Sequence, residues 1–520
     1  MLRQHVRHIL FFATLILSWP QMILAQSNRS GSPVSWNMPQ LIEGLDQPEV
    51  MPEVNETSLI AEDIDVAEDY SVPYRFAFAH DVNLTLENAG RWTNLPNGDR
   101  VWVLLLDCPD AYSMALTFRD VDLPRGARLD IYTPNHQEFL GPITQRGQAI
   151  GAFGTAHFRG HQLIVEYFEP YAFRGDGQLK IPFVTEAYRS LEADETSCFS
   201  SMNANPNGRE LEELTESVVM MLVDHGQRIA TGTLVNNSDH DGRPYLLTAA
   251  KSLMGMPEEM VFAFHYTDAS CMYPYVDGCR EWIVSGSRLV QATVGNQLAL
   301  LELNQLPSGN VVPFFAGWHL TGQSMSDLHW CIQHAYGVEQ SYKKYIGVMQ
   351  PVWTSEGVRH SFTGQHEGAT ASGTVGSPLF DENYDLIGVF VGGNSDCQGQ
   401  GHDYFTLLKD VWSDLDDWLS PTEITGDRLG GMYYSTPNDE LSNPFLAIVY
   451  PNPAQEWVSF SWDGREDLGS VEILTLQGKP ICSAMNPSQM LDISFIPNGT
   501  YIVRLTSASS VKCAKLVIQK

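Results

Sequence analysis

Positive charge is scarce in this chain. Lys and Arg together number 31 against 62 Asp and Glu in 520 residues, a formal net charge of -31. That balance excludes a nucleic-acid binder, which needs clustered cations to displace counterions from phosphates, and it disfavours docking on anionic lipid. Cysteine is also sparse, with eight residues, too few for a disulfide scaffold at this length. No two cysteines are spaced as a zinc pair, and His366-Glu367 lacks the second His of a zinc-protease helix. A phosphate-binding loop and a dinucleotide-binding glycine fingerprint are both missing. No metal and no cofactor is therefore expected. Beyond the first 25 residues no apolar run approaches the roughly 18 residues needed to cross a bilayer, so no transmembrane segment is expected. Aromatics, by contrast, are plentiful: 23 Phe, 20 Tyr and 12 Trp, with 43% hydrophobic residues overall. A disordered polyacid would lack them, so the chain reads as a folded acidic protein with large cores.

The organisation follows from local texture. Arg3 and Arg7, the apolar run Ile9 to Trp19 and the small-residue site at Ile23-Leu24-Ala25 read as a secretory signal peptide over 1–25. Residues 26–73 read as a mobile acidic leader, since 31–70 hold ten acids and no Lys or Arg. Short β-type runs at 101–106, 113–118, 127–132 and 162–167, separated by Pro-Asn-Gly and Arg-Gly-type turns, predict a β-sandwich over 74–190. Residues 191–421 are mostly short strands, a size suited to two packed barrels, with one helix expected over Phe405 to Leu419 from apolar residues at helical spacing. Residues 422–445 read as a linker, and 446–520 as a small terminal sandwich. The fold class expected is all-β.

Three segments in the central region stand out together: Ala230-Thr231-Gly232-Thr233-Leu234, Tyr245-Leu246-Leu247-Thr248-Ala249-Ala250-Lys251-Ser252, and Gly373-Thr374-Val375-Gly376-Ser377-Pro378. In order and spacing they resemble the trypsin-fold serine proteases, and most nearly the bacterial lysyl endopeptidases. The resemblance implies a His base, an Asp that holds its tautomer, and a Ser nucleophile beside an oxyanion hole. The matching positions here are Lys251, Gln297 and Val375. Val375 has no lone pair with which to attack a carbonyl. The oxyanion loop matches at Gly373 and Val375. A rebuilt Ser-Lys pair, from Ser377 or Ser252 with Lys251, stays open as an alternative. So two readings stand: an exported binding protein without catalysis, or an active Lys-directed endopeptidase with a new site. A surface protein that uses no peptide groove is a third.

The resemblance carries further implications. The family's bridge beside the base is lost, because its positions are Ser252 and Ala230. Its scaffold bridge is implied for Cys198 with Cys397, and Cys271 finds a new partner in Cys279; Cys108 and Cys331 are read as free and buried, and Cys482 with Cys513 as a possible pair. The family's Lys specificity rests on an Asp that matches Asp403, and its substrate-pairing strand matches Gly392-Gly393. The groove would then hold a Lys- or Arg-containing peptide, unless Asp403 is an ordinary loop acid. Residues 74–190 resemble the pro-segment region of this group. Finally, Val449-Tyr450-Pro451-Asn452-Pro453, Gly499-Thr500-Tyr501-Ile502-Val503 and the terminal Lys520 resemble the C-terminal sorting domain of type IX secretion cargo in the Bacteroidota. That implies the type IX machinery as a partner and a final location outside the cell or on its surface.

Overall fold

The computed structural model describes residues 32–520 apart from internal segments, the longer being 146–149, 192–198, 202–208, 267–274, 276–281, 308–311, 321–327, 435–447, 462–469, 486–489 and 507–510. The expected signal peptide, Cys198, Cys271 and Cys279 lie outside the described residues. The molecule is built almost entirely from antiparallel sheets.

The four runs at 101–106, 113–118, 127–132 and 162–167 lie in the strands Arg100–Asp107, Ser113–Asp122, Arg128–Tyr132 and Gln162–Glu169. Arg100–Asp107, Gln162–Glu169 and Arg128–Tyr132 are neighbours in one sheet. Ser113–Asp122 pairs with Gln178–Ala187 and, through it, with Ala77–Thr85 in a second sheet. Side chains such as Trp102, Phe118, Val165 and Val184 fill the space between the two sheets.

The central region holds an eight-stranded and an eleven-stranded sheet. The first contains Val218–Val223, Arg228–Leu234, Tyr245–Ala249 and Leu298–Leu303 in adjacent positions. The second runs through Ser341–Ile346, Leu328–Gln333, Pro378–Phe380, Leu386–Gly393 and Asp403–Leu407. Side chains in a strand alternate between faces, and Val218–Val223 is buried throughout. Its two faces meet different cores. Val219, Met221 and Val223 enter the central core, whereas Met220 and Leu222 join the buried cluster of the N-terminal sandwich. Val261 and Phe262 divide in the same way. This explains the unbroken apolar run Val218-Val219-Met220-Met221-Leu222-Val223, since a strand covered on both faces has no solvent side to make polar. Polar contacts follow the same seam: Ser285 Oγ donates to Gly154 O, Thr185 Oγ1 to His225 O at 2.7 Å, and Arg119 pairs with the buried Glu259.

Three expectations are corrected. The acidic leader is not a solvated coil. Glu56–Val66 is a helix, and its Asp63 accepts from Arg75 Nε at 2.7 Å and from Tyr188 OH at 2.7 Å and forms an ion pair with Arg189 Nη2 at 2.9 Å. The segment contains no cation of its own, but the fold brings three donors to it. The helix expected over 405–419 is instead a strand end followed by two four-residue helices, Leu408–Val411 and Asp416–Leu419, around a 3-10 turn. Leu408, Val411, Leu415 and Leu419 still reach the core, and Trp412 packs on Trp318 with ring centroids 4.4 Å apart. Packing at that tryptophan overrides regular helical continuation. Part of the expected linker belongs to the central fold: Arg428–Leu429 pairs with Trp318–His319, and Met432–Tyr433 with Phe314–Phe315.

Among the described residues of 448–520 there are a three-stranded and a four-stranded sheet around Val458, Val471, Ile473, Val503 and Leu516. Among the described residues no helix is long and apolar enough to cross a membrane.

Candidate functional site

The strand Tyr245–Ala249 ends in a 3-10 turn, Ala250–Ser252, which lifts Lys251 into solvent. Its ammonium donates to Ser71 Oγ at 3.2 Å. Gln297 follows a second 3-10 turn and is buried. Its main-chain oxygen accepts from Ala250 N at 2.9 Å, which holds the two turns side by side. Its side chain looks elsewhere: Nε2 donates to Glu356 O at 2.9 Å and Oε1 accepts from Thr406 Oγ1 at 2.5 Å. A carboxylate at this position could take the second bond but not give the first.

Val375 sits at the apex of the third motif and is fully buried in the central core. Its carbonyl accepts from Thr231 N at 3.0 Å, and Thr231 Oγ1 donates to Gly373 O at 2.9 Å. Thr248 Oγ1 in turn donates to Thr231 O at 2.7 Å. The threonines of the first two motifs thus hold the third in place. Gly376 has φ +91°, and a Cβ there would lie 2.0 Å from Thr231 O, so no side chain fits. The three positions Lys251, Gln297 and Val375 are brought to one region, but none of their side chains hydrogen-bonds another among the described residues. Ser377 and Ser252 are both buried, and neither hydroxyl has a hydrogen-bond partner among the described residues. Lys251 is turned to Ser71 instead.

The pocket acid departs from expectation. Asp403 opens the strand Asp403–Leu407, pairs in register with Gly393, and its side chain is 1% exposed. Its Oδ2 accepts from Lys343 Nζ at 2.8 Å, Tyr345 OH at 2.6 Å and Ser395 Oγ at 2.6 Å, and its Oδ1 from Thr370 Oγ1 at 2.8 Å. Burial alone would raise its pKa, but the Lys343 charge and these hydrogen bonds outweigh burial and hold it below the usual carboxylate range. Asp403 therefore offers no free charge to a basic side chain, and the reading of a Lys- or Arg-binding pocket is corrected at this residue. Lys343 escapes notice in the sequence because Ser341-Tyr342-Lys343-Lys344-Tyr345 looks solvent-facing. The alternation of the strand Ser341–Ile346 in fact turns Lys343 and Tyr345 inward and Lys344 outward.

The structure also places the leader in the site. Tyr70 N donates to Gly393 O at 3.0 Å, and the half-buried Tyr70 side chain packs against a cluster containing Tyr345, Phe390 and Phe405. Burial raises its phenol pKa, and the charges of Asp403 and Asp396 raise it further. Tyr74–Arg75 then pairs with Arg228–Ile229. Nothing in the local sequence of residues 70–75 announces this placement.

Cys397 is a disulfide cysteine; the expected pairs Cys198–Cys397 and Cys271–Cys279 have members outside the described residues. Cys108 and Cys331 are free and buried, and Cys482 is free, so the pairing of Cys482 with Cys513 is corrected. His319, Asp381 and Asp385 bring ligand atoms within 4.8 Å of one another. Arg428 pairs with Asp385, and Asp381 Oδ1 accepts from the amides of Asn383 and Asp385.

Residues 194–406 match the family model of the lysyl endopeptidase C-terminal domain, and residues 448–519 that of the secretion system C-terminal sorting domain. The chain is a lysyl-endopeptidase-like protein with a secretion sorting tail. A lysyl endopeptidase of Pseudomonas aeruginosa is 26% identical over 292 residues, which cover 50% of this chain and 62% of that protein. Among solved structures, the HtrA-type protease AlgW with a tripeptide aligns with 13% identity over 59% of this chain and 95% of its own, at a TM-score of 0.30. Rv3671c from M. tuberculosis H37Rv, in an inactive form, aligns over 44% of this chain and 100% of its own, with 13% identity and a TM-score of 0.29. The sorting domain directs the lysyl-endopeptidase-like protein through type IX export to the cell surface or the extracellular space.

Proposed function

We propose that this exported lysyl-endopeptidase-like protein has no serine-peptidase chemistry and acts by binding. Val375 supports the reading most directly. It stands where the resembled enzymes need a hydroxyl, it is fully buried, and an isopropyl group cannot form an acyl-enzyme. The exposed Lys251 and the doubly engaged Gln297 add to it, because neither can act as a base held by an acid. The retained threonine bonds around the motif serve the scaffold, which accounts for motifs that persist where the triad does not. In this reading the signal peptide is removed, Cys198–Cys397 and Cys271–Cys279 are the bridges, and 74–190 stays with the domain it would otherwise have been cut from. The source lies among the Bacteroidota that use type IX export.

The competing reading is a Lys-directed endopeptidase built on Ser377 or Ser252. Incubation of the purified full chain with a lysyl peptide and with a fluorophosphonate probe tests both. The expected result is an intact peptide and an unlabelled protein. Peptide cleavage after lysine together with an adduct on either serine would overturn the proposal.

A further inference from the structure

The protein's own segment Tyr70–Pro73 touches both Gly393, through Tyr70 N, and Lys251, through Ser71 Oγ. We propose that the surface it covers is a binding site for an extended segment bearing an aromatic residue, occupied in cis by Tyr70–Pro73. The inference rests on the non-catalytic reading above and names the ligand class of that same site.

Three features set the ligand class. The main chain of the occupant is held to the edge of the strand Leu386–Gly393 by one hydrogen bond, Tyr70 N donating to Gly393 O at 3.0 Å. The surface under its side chain is apolar and partly aromatic, since Tyr70 packs against the cluster that holds Tyr345, Phe390 and Phe405 together with Leu379, Ile387 and Leu407. The Asp403 carboxylate beneath that cluster is already matched by the buried Lys343. A lysine side chain entering there would bring a second cation to an ion pair that is complete, and would lose its hydration without gaining a counter-charge. An aromatic ring meets no such cost. A small hydroxyl residue after the aromatic is favoured too, because the buried Ser71 accepts from Lys251 at 3.2 Å.

The occupant is tethered on its C-terminal side. Arg228 Nη1 donates to Pro73 O at 3.1 Å, Tyr74–Arg75 pairs with the strand at Arg228–Ile229, and Tyr74 meets Tyr336 edge-on at 5.5 Å. A tethered occupant acts at an effective concentration on the order of millimolar, so a peptide in trans competes poorly until that occupant is weakened.

The test uses the full chain, its Tyr70→Ala variant, and two labelled peptides. One peptide copies the sequence of residues 68–76, and the other is identical except for lysine at the Tyr70 position. The expected result is at least tenfold tighter binding of the tyrosine peptide by Tyr70→Ala than by the unmodified protein. The variant should also prefer the tyrosine peptide over the lysine peptide by tenfold or more. Tyr70→Phe, which keeps the ring, should behave like the unmodified protein. Equal binding by all three proteins, preference for the lysine peptide, or no binding to Tyr70→Ala at millimolar peptide would overturn the inference. Mass analysis of the peptides after incubation separates the two levels: cleavage would contradict the non-catalytic reading, whereas intact but unbound peptide would contradict only the ligand assignment.

Discussion

At residue scale the chemistry turns on Lys343, which the sequence motifs do not mark, and on Gln297, which stands where the resembled enzymes carry an Asp. Lys343 closes the pocket over Asp403, with both groups essentially without solvent contact. Removing one partner of a buried ion pair costs about 3–5 kcal/mol, because the other is left charged and unpaired. Lys343→Met is therefore expected to lose that much stability at pH 7, read from urea unfolding. In the unmodified protein the folded-state pKa of Asp403 lies below its unfolded value, so its contribution is present above roughly pH 4 and lost as the pH falls through the folded value. In the variant the sign reverses: the lone buried carboxylate binds its proton more tightly when folded, so the deficit shrinks as the pH is lowered. A deficit independent of pH would show that the pair carries no such charge. Gln297 gives a second residue-scale test. Gln297→Glu keeps an acceptor for Thr406 but no donor for Glu356 O, and leaving that carbonyl unmatched is expected to cost about 1–3 kcal/mol. An unchanged urea midpoint would mean the bond to Glu356 contributes nothing.

At the scale of elements, the helix Glu56–Val66 is fixed to the rest by charge rather than by an apolar stripe. Asp63 alone receives Arg75, Arg189 and Tyr188. Asp63→Ala is expected to speed amide exchange in this helix and in Tyr74–Arg75 by tenfold or more, while exchange in the strand Val218–Val223 stays as it was. Uniform acceleration in both would contradict a local role. The same helix shows where sequence reading stops. Strand runs such as Val101-Trp102-Val103-Leu104-Leu105-Leu106 were legible because apolar β-formers bounded by turns carry their own signal. The motifs with Thr231, Thr248 and Gly376 were legible because they lock one another. The leader was not, because Glu62 and Asp63 find their cations at Arg75 and Arg189, outside the acidic segment. Lys343 was not, because a buried lysine on a strand differs from an exposed one only in register, and register is set by partners far along the chain. The broken helix at 408–419 kept its apolar spacing while its backbone yielded to Trp412 and Trp318.

At the scale of the whole molecule, the N-terminal sandwich and the lysyl-endopeptidase-like region share a core through the two-faced strands Val218–Val223 and Val261–Ala263. Separating them would expose Met220, Leu222 and Val261 together with their partners in the sandwich. A specific protease site introduced between residues 191 and 197, ahead of Cys198, is therefore expected to yield two fragments that co-elute in gel filtration and part only in denaturant. Elution as separate species under native conditions would contradict the shared core. The sorting domain carries such a molecule out of the cell. The property we propose as central is the absence of nucleophilic chemistry at Val375. The most direct test is intact-mass analysis of the full chain and of its Tyr70→Ala variant, which lacks the ring packed beside Gly393, after prolonged exposure to a fluorophosphonate. The account predicts an unchanged mass. A stoichiometric adduct mapped to Ser377 or Ser252 would contradict it.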